Sequence, residues 1–264
     1  VIPLHDDNPT RRRPVLTISL IVANVLVFVL VQLLQVSDAG VAVRPDDGNA
    51  ADSSQAVVCE YGLVPEHLIG GGDARASDGG DGRPATCLGV NQRQSRYLGL
   101  VTSQFLHGGW LHLLGNMLFL WVFGNNIEDR LGRFRFLPFY LLCGALAAGA
   151  QALADPDSDV PLIGASGAIA GILGAYLVLF PRAGIWTIVL PFFFLPFKIP
   201  AWVWLAIYMA LQFLLLGSSD PSGQGGVAYW AHIGGFVVGM LLVRPFLTGR
   251  PPPGRPAPVP GRIV

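Results

Sequence analysis

The sequence predicts an all-α membrane protein with six transmembrane helices, and three observations carry that prediction. Hydrophobic residues make up 52 % of the 264-residue chain and charged residues 13 %, with a mean hydropathy of +0.52. A soluble domain carries about 25 % charged residues. The apolar residues fall into runs that approach the roughly 20 residues needed to span a bilayer. The cations, finally, cluster at alternate ends of those runs. The formal net charge of zero gives no reason to expect a nucleic-acid partner.

Segment 15–36 is uncharged and long enough to span. Arg11, Arg12 and Arg13 precede it, as in a signal peptide, but a signal core is only about 7–15 residues, so a retained helix is expected. Further runs lie near 108–124, 136–154, 162–180, 200–217 and 227–243. The run near 108–124 is the shortest. Residues 184–197 are apolar but interrupted by Pro191 and Pro196. If they spanned, His232 would move to the opposite side from Ser166, so they are expected at the interface.

With the N-terminus in the cytoplasm, 12 of the 17 Lys and Arg fall on the inner side: Arg11, Arg12, Arg13, Arg130, Arg133, Arg135, Arg182, Lys198, Arg244, Arg250, Arg255 and Arg262. The other five, Arg44, Arg75, Arg83, Arg93 and Arg96, share one long outer loop, where the positive-inside rule has least force. The short outer connections carry only Asp155, Asp157, Asp159 and Asp220. The expected organisation is a cytoplasmic segment 1–14, a six-helix domain 15–246 with an outer loop 37–104, and a disordered Pro-rich cytoplasmic tail 247–264. The chain reads as an integral, multi-pass protein of a bacterial plasma membrane.

Polar side chains inside spans are costly and mark candidate sites. They are Asn24, His112, Asn116, Gln151, Ser166, Gln212 and His232, with His107 at a span edge. No Asp or Glu lies in a span interior and no HExxH occurs, which argues against aspartyl and zinc chemistry; no metal or cofactor is expected. Ser166 is crowded by Gly164, Gly167, Gly171 and Gly174, and His232 is followed by Gly235 and Gly239. Small residues allow close helix approach, so each residue alone could simply belong to a packing face, or His232 to a haem site. Together they are more informative. Both sit about one turn inside helices entering from the outer face, and a serine needs a base to become a nucleophile. His112 and Asn116, four residues apart, share a helical face and could donate to an oxyanion.

Several motifs resemble the rhomboid proteases. GASG (164–167) resembles the family's GxSG. His107, His112 and Asn116 fit HxxxxHxxxN, AHIGGFVVG (231–239) fits AHxxGxxxG, and Glu128 with Gly132 fits ExxxG. The resemblance implies a six-helix rhomboid bundle and a Ser–His dyad without a third acidic member. Ser166 would be the nucleophile, His232 the general base, and His112 and Asn116 the oxyanion donors, with His107, Gly164, Gly167 and Gly235 structural beside the site. The implied partners are the lipid bilayer and transmembrane protein substrates, cut near their outer ends. A catalytically inactive, membrane-protein-binding relative is the alternative. Two positions depart from the pattern: Leu98 and Gly99 stand where many members have Trp-Arg, and Ala170 stands where many have an aromatic stacked on the catalytic histidine.

Three cysteines are present. Cys143 lies in the third apolar run, whereas Cys59 and Cys87 share the outer loop, where disulfides persist. A Cys59–Cys87 bridge is expected, closing a Gly/Asp-rich segment and restricting its unfolded ensemble by roughly 3–4 kcal/mol.

Overall fold

The computed structural model describes residues 2–33, 57–69, 97–158, 160–189, 193–216 and 227–247. Six long helices form the body: α1 (Val15–Leu26, continued as a π-helix over Val27–Leu33), α2 (Trp110–Leu131), α3 (Arg133–Ala154), α4 (Ser166–Leu179), α5 (Ala201–Leu216) and α6 (Tyr229–Phe246). Three antiparallel strands, β1 (Ile2–Asp6), β2 (Gly184–Val189) and β3 (Phe193–Pro200), close one end in the order β1-β2-β3.

α4 is the centre. Every residue from Ala168 to Tyr176 is buried, the pattern of a helix surrounded on all sides. α6 lies against it almost backbone to backbone. A Cβ on Gly174 would collide with the Phe236 carbonyl, one on Gly239 with the Gly171 carbonyl, and one on Gly235 with the Gly167 carbonyl. α2 and α3 flank this pair and are separated by Gly132, whose φ of +74° favours glycine and ends one helix as the next begins. α5 is peripheral: only Ala201, Trp204, Leu205 and Gln212 are buried along its length. Trp204 anchors it by ring contacts with Phe119 and Phe123 of α2.

Two helices are long and apolar enough to cross a membrane, Val15–Gln32 and Arg133–Ala154. A third is reached if Gly99–Phe105 and Trp110–Leu131, bent by 98°, count as one span. The molecule is thus a predominantly helical membrane protein, but the six full-length spans expected from sequence are not found among the described residues. For two of the six the reason is length: α4 has 14 residues and α5 has 16. At 1.5 Å rise per residue, α4 covers about 21 Å, short of a bilayer core of about 30 Å. The all-α expectation is also amended by the sheet. Residues 184–197, left unassigned to a span by the sequence, supply β2 and most of β3.

The expected Cys59–Cys87 disulfide has one end, Cys87, outside the described residues. Cys143 is free and buried in α3, and Cys59 is 1 % exposed and packs with Val64. The described part of the 37–104 loop is also held by hydrogen bonds. Leu63 and Leu162 exchange N–H···O bonds of 3.1 and 2.7 Å, Glu66 N donates to Ser158 O at 3.1 Å, and Thr102 Oγ1 donates to Tyr61 O at 2.6 Å. Gly99, at the position of the absent Trp-Arg, lets this segment approach closely: a Cβ there would lie 3.0 Å from Gly62 O. The tail 248–264 and most of the outer loop lie outside the described residues.

At the opposite end, Glu128 is 3 % exposed and receives three hydrogen bonds from the first turn of α1: Leu16 N at 3.0 Å, Thr17 N at 2.7 Å and Thr17 Oγ1 at 2.8 Å. A helix's first N–H groups have no partner within the helix, and a carboxylate there also meets the positive end of the helix dipole. Glu128 of the ExxxG string is therefore the cap that seats α1 on α2. Glu128→Ala should destabilise the protein by on the order of 3 kcal/mol, the cost of leaving buried donors unpaired, read as a lower thermal midpoint in detergent. An unchanged midpoint would mean that water satisfies this turn.

β1 carries Asp6 into the same end. Tyr176 Oη donates to Asp6 Oδ2, as does Asn126 Nδ2 at 2.7 Å. Burial pushes the Asp6 carboxyl up from 3.8 to about 6. Its neighbour behaves oppositely: Lys198 holds the more exposed Asp7 carboxyl below its ordinary value. Between 3.8 and about 6 the folded chain keeps a proton on Asp6 that the unfolded chain has lost, so this group's contribution is full at low pH and is lost as pH rises through 6. Asp6→Asn should flatten that part of the fall in thermal midpoint between about pH 4 and 7. The same slope in Asp6→Asn would assign the fall to other groups.

Candidate functional site

The sheet closes one end of the bundle; the polar residues gather at the other. Three helices begin there, α2, α4 and α6. The turn into α4 is made by Gly164, whose φ of +117° is open to glycine and strained for other residues. Gly164 N donates to Ser103 O at 2.8 Å. This pins the turn to the segment before α2 and delivers Ser166 as the first residue of α4. Position, rather than any side-chain cap, places the Ser166 amide among the unpaired N–H groups of a helix start.

α6 supplies His232 one turn inside its own start. His232 Nε2 lies 2.9 Å from Ser166 Oγ, and its Nδ1 lies 2.8 Å from Gln212 Oε1 of α5. The approach of α4 to α6 makes the first distance possible. It depends on Gly235, since a Cβ there would strike the Gly167 carbonyl, while a Cβ on Gly167 would sit 2.8 Å from the Ala147 side chain of α3. Ala170 is fully buried and offers the imidazole no ring. The aromatic beside it is Tyr229, edge-on to His232 at 6.5 Å.

α2 contributes His112 and Asn116. Gly108 N donates to His112 Nδ1 at 3.3 Å. With Nδ1 accepting, Nε2 carries the proton and is a donor. The imidazole lies against the Gly164 turn. A Cβ on Gly164 would be 2.8 Å from His112 Nε2 and 3.5 Å from Asn116 Nδ2. Asn116 Nδ2 is buried without a hydrogen-bond partner, which is costly unless a ligand or water meets it. Two side-chain donors therefore face the backbone two residues before Ser166.

His107 lies behind this pair, its ring edge-on to His112 at 5.2 Å. Its backbone is locked by Gln32 at the end of the π-helical segment: Gln32 Nε2 donates to His107 O at 2.7 Å and His107 N donates to Gln32 Oε1 at 2.9 Å. Gln104 braces the same loop on α3, donating to Leu141 O at 3.2 Å over Gly144.

The structure brings Ser166, His232, His112, Asn116, His107, Gly164, Gly167 and Gly235 to one end of the bundle. Sequence reasoning noted Gln212 as a polar residue in a span but assigned it no partner. Its signal was polarity near the C-terminal end of α5, and only the tertiary contact identifies what it touches. Chemically, the arrangement is a hydroxyl in contact with an imidazole, the imidazole held from behind, and donors beside the hydroxyl. That set suits nucleophilic attack on a carbonyl group.

A family model described as a rhomboid domain matches residues 94–248. The chain is 32 % identical over 148 residues to rhomboid protein 1, mitochondrial, of Saccharomyces cerevisiae, covering 54 % of this chain and 40 % of that protein. It is 29 % identical over 166 residues to rhomboid protease GlpG of Yersinia enterocolitica, covering 62 % and 54 % respectively. It is 38 % identical over 78 residues to putative rhomboid protease YdcA of Bacillus subtilis, covering 30 % and 39 %. The matched part is thus less than two thirds of each relative's length.

The Gly164 turn is the most constrained backbone at the site. Gly164→Ala should cost about 1–3 kcal/mol in strain and push the His112 ring from its seat, both readable as a lower thermal midpoint and a shifted His112 imidazole signal. Retention of both would show that the turn relaxes freely.

Proposed function

The chain belongs to the rhomboid family, and we propose that it is an intramembrane serine endopeptidase that cuts a transmembrane segment of another membrane protein. The observation that carries this reading is the 2.9 Å contact between Ser166 Oγ and His232 Nε2. In the proposed mechanism His232 Nε2 takes the Ser166 hydroxyl proton as Oγ bonds to the scissile carbonyl carbon. The carbonyl π electrons move to oxygen. The resulting oxyanion is met by His112 Nε2–H, Asn116 Nδ2–H and the Ser166 amide. Collapse breaks the C–N bond, and the leaving amine takes the proton from Nε2. Water then attacks the acyl-enzyme, again giving its proton to Nε2, and the acid product leaves as that proton returns to Oγ.

The unpartnered Asn116 Nδ2 supports the oxyanion assignment, because a buried donor aimed at a developing charge needs no reorganisation at the moment of reaction. The start of α4 supports it too, since the dipole there favours negative charge. In the proposed topology six helices traverse or enter the membrane, both termini are cytoplasmic and the dyad faces the outer leaflet. The support is the segregation of 12 of 17 cations to the opposite ends. A substrate helix has its carbonyls engaged in its own hydrogen bonds. Cleavage therefore favours segments that unwind readily near their outer end.

Reconstituted protein with a model transmembrane substrate tests the reading. Ser166→Ala and His232→Ala should each lower turnover by several orders of magnitude, as members of one unit do. Asn116→Ala should lower it by about 100- to 1,000-fold with the fold intact, the usual loss for one oxyanion donor. Undiminished cleavage by Ser166→Ala in a clean preparation would remove the assignment.

A further inference from the structure

We propose that Gln212 is a positioning residue for the dyad: its side-chain carbonyl selects the tautomer of His232 that can act as a base. The inference rests on the reading of Ser166 and His232 given above and adds a member from a third helix.

A neutral imidazole has one N–H and one lone pair. Its two nitrogens here have two different partners, Gln212 Oε1 at 2.8 Å and Ser166 Oγ at 2.9 Å. If Gln212 presents its carbonyl, Nδ1 carries the proton and donates to it. Nε2 is then a lone pair, free to accept the Ser166 proton. If the amide were turned, its NH2 would donate to Nδ1, Nε2 would carry the proton, and the serine oxygen would be a mere acceptor. Only the first arrangement activates the hydroxyl. The third group of a nucleophile–base pair does this orienting work, and an amide can do it without charge.

Charge matters at this depth. A carboxylate in the same place would bring a desolvation cost that an amide avoids. Gln212 is 8 % exposed, on a helix whose outward face is apolar. The alternatives for holding the ring are thin: Ala170 contributes only a methyl group, and Tyr229 is 6.5 Å away and edge-on. The bland reading is that Gln212 is a satisfied polar residue tying α5 to α6. That reading predicts an effect on stability and none on the tautomer or on kcat.

The experiment separates them. In intact wild-type protein at neutral pH, 15N NMR of the His232 imidazole should show the Nδ1–H tautomer; the Nε2–H tautomer would overturn the proposal without any substitution. Gln212→Met fills the volume but removes the acceptor, and should lower kcat about 10- to 100-fold, within what general-base catalysis contributes, with KM and the thermal midpoint near wild type. Gln212→Glu keeps an acceptor oxygen on the same stem and should retain most of the lost kcat. Full kcat in Gln212→Met, or equal losses in both variants that follow the thermal midpoint, would reduce Gln212 to a helix contact. Should Gln212→Met fail to fold, the wild-type tautomer and the Gln212→Glu rate still decide. Absence of serine-dependent cleavage in wild type would instead defeat the protease reading, while the tautomer measurement would stand on its own.

Discussion

The contact between the backbones of α4 and α6 is the constraint on which the rest of the site depends. Gly167, Gly171 and Gly174 on one helix and Gly235 and Gly239 on the other remove the side chains that would keep the helices apart. Ser166 and His232 lie at the mouth of this contact, so the separation of two helix axes sets the 2.9 Å between Oγ and Nε2. Without water in a bilayer to drive apolar surfaces together, such packing rests on close van der Waals contact and interhelical hydrogen bonds. The same glycines that bind the core therefore also set the reacting geometry.

The polar side chains inside this apolar molecule divide by whether they are satisfied. Glu128 and Gln32 spend their hydrogen bonds on groups of neighbouring elements, and each joins two pieces of chain distant in sequence. Their burial is repaid locally, as buried polar groups require. Among the buried polar atoms without such a partner are Asn116 Nδ2 and both ring nitrogens of His107, on the side of the Gly164 turn. The proposed oxyanion role would give Asn116 its partner during reaction.

The sheet end serves a different purpose. β1 pairs with β2, and Asp6 reaches Tyr176 and Asn126 across the base of α2 and α4. Asp7 meets Lys198 of β3 and Trp186 of β2. The two prolines of the apolar run 184–197 disfavour a regular helix there, and its described residues form β2, which pairs with the N-terminal segment, and most of β3.

Much of this was legible in the residues. Apolar run lengths marked the helices, with ends near those observed for α3, α4 and α6. Glycine spacing around Ser166 and His232 marked a close helix pair, because only small residues permit one. The i, i+4 spacing of His112 and Asn116 put both on one face, since a helix returns after about four residues. Other features were not legible. Gln212 could not be matched to His232 because they are joined only by the lateral seating of α5 on α6. Sequence alone marked which residue types could do acyl transfer and which of them share a helix face, because periodicity and hydropathy are properties of a chain. That His232 Nε2 faces Ser166 while Nδ1 faces Gln212 was decided only by the tertiary structure, because those contacts join three helices.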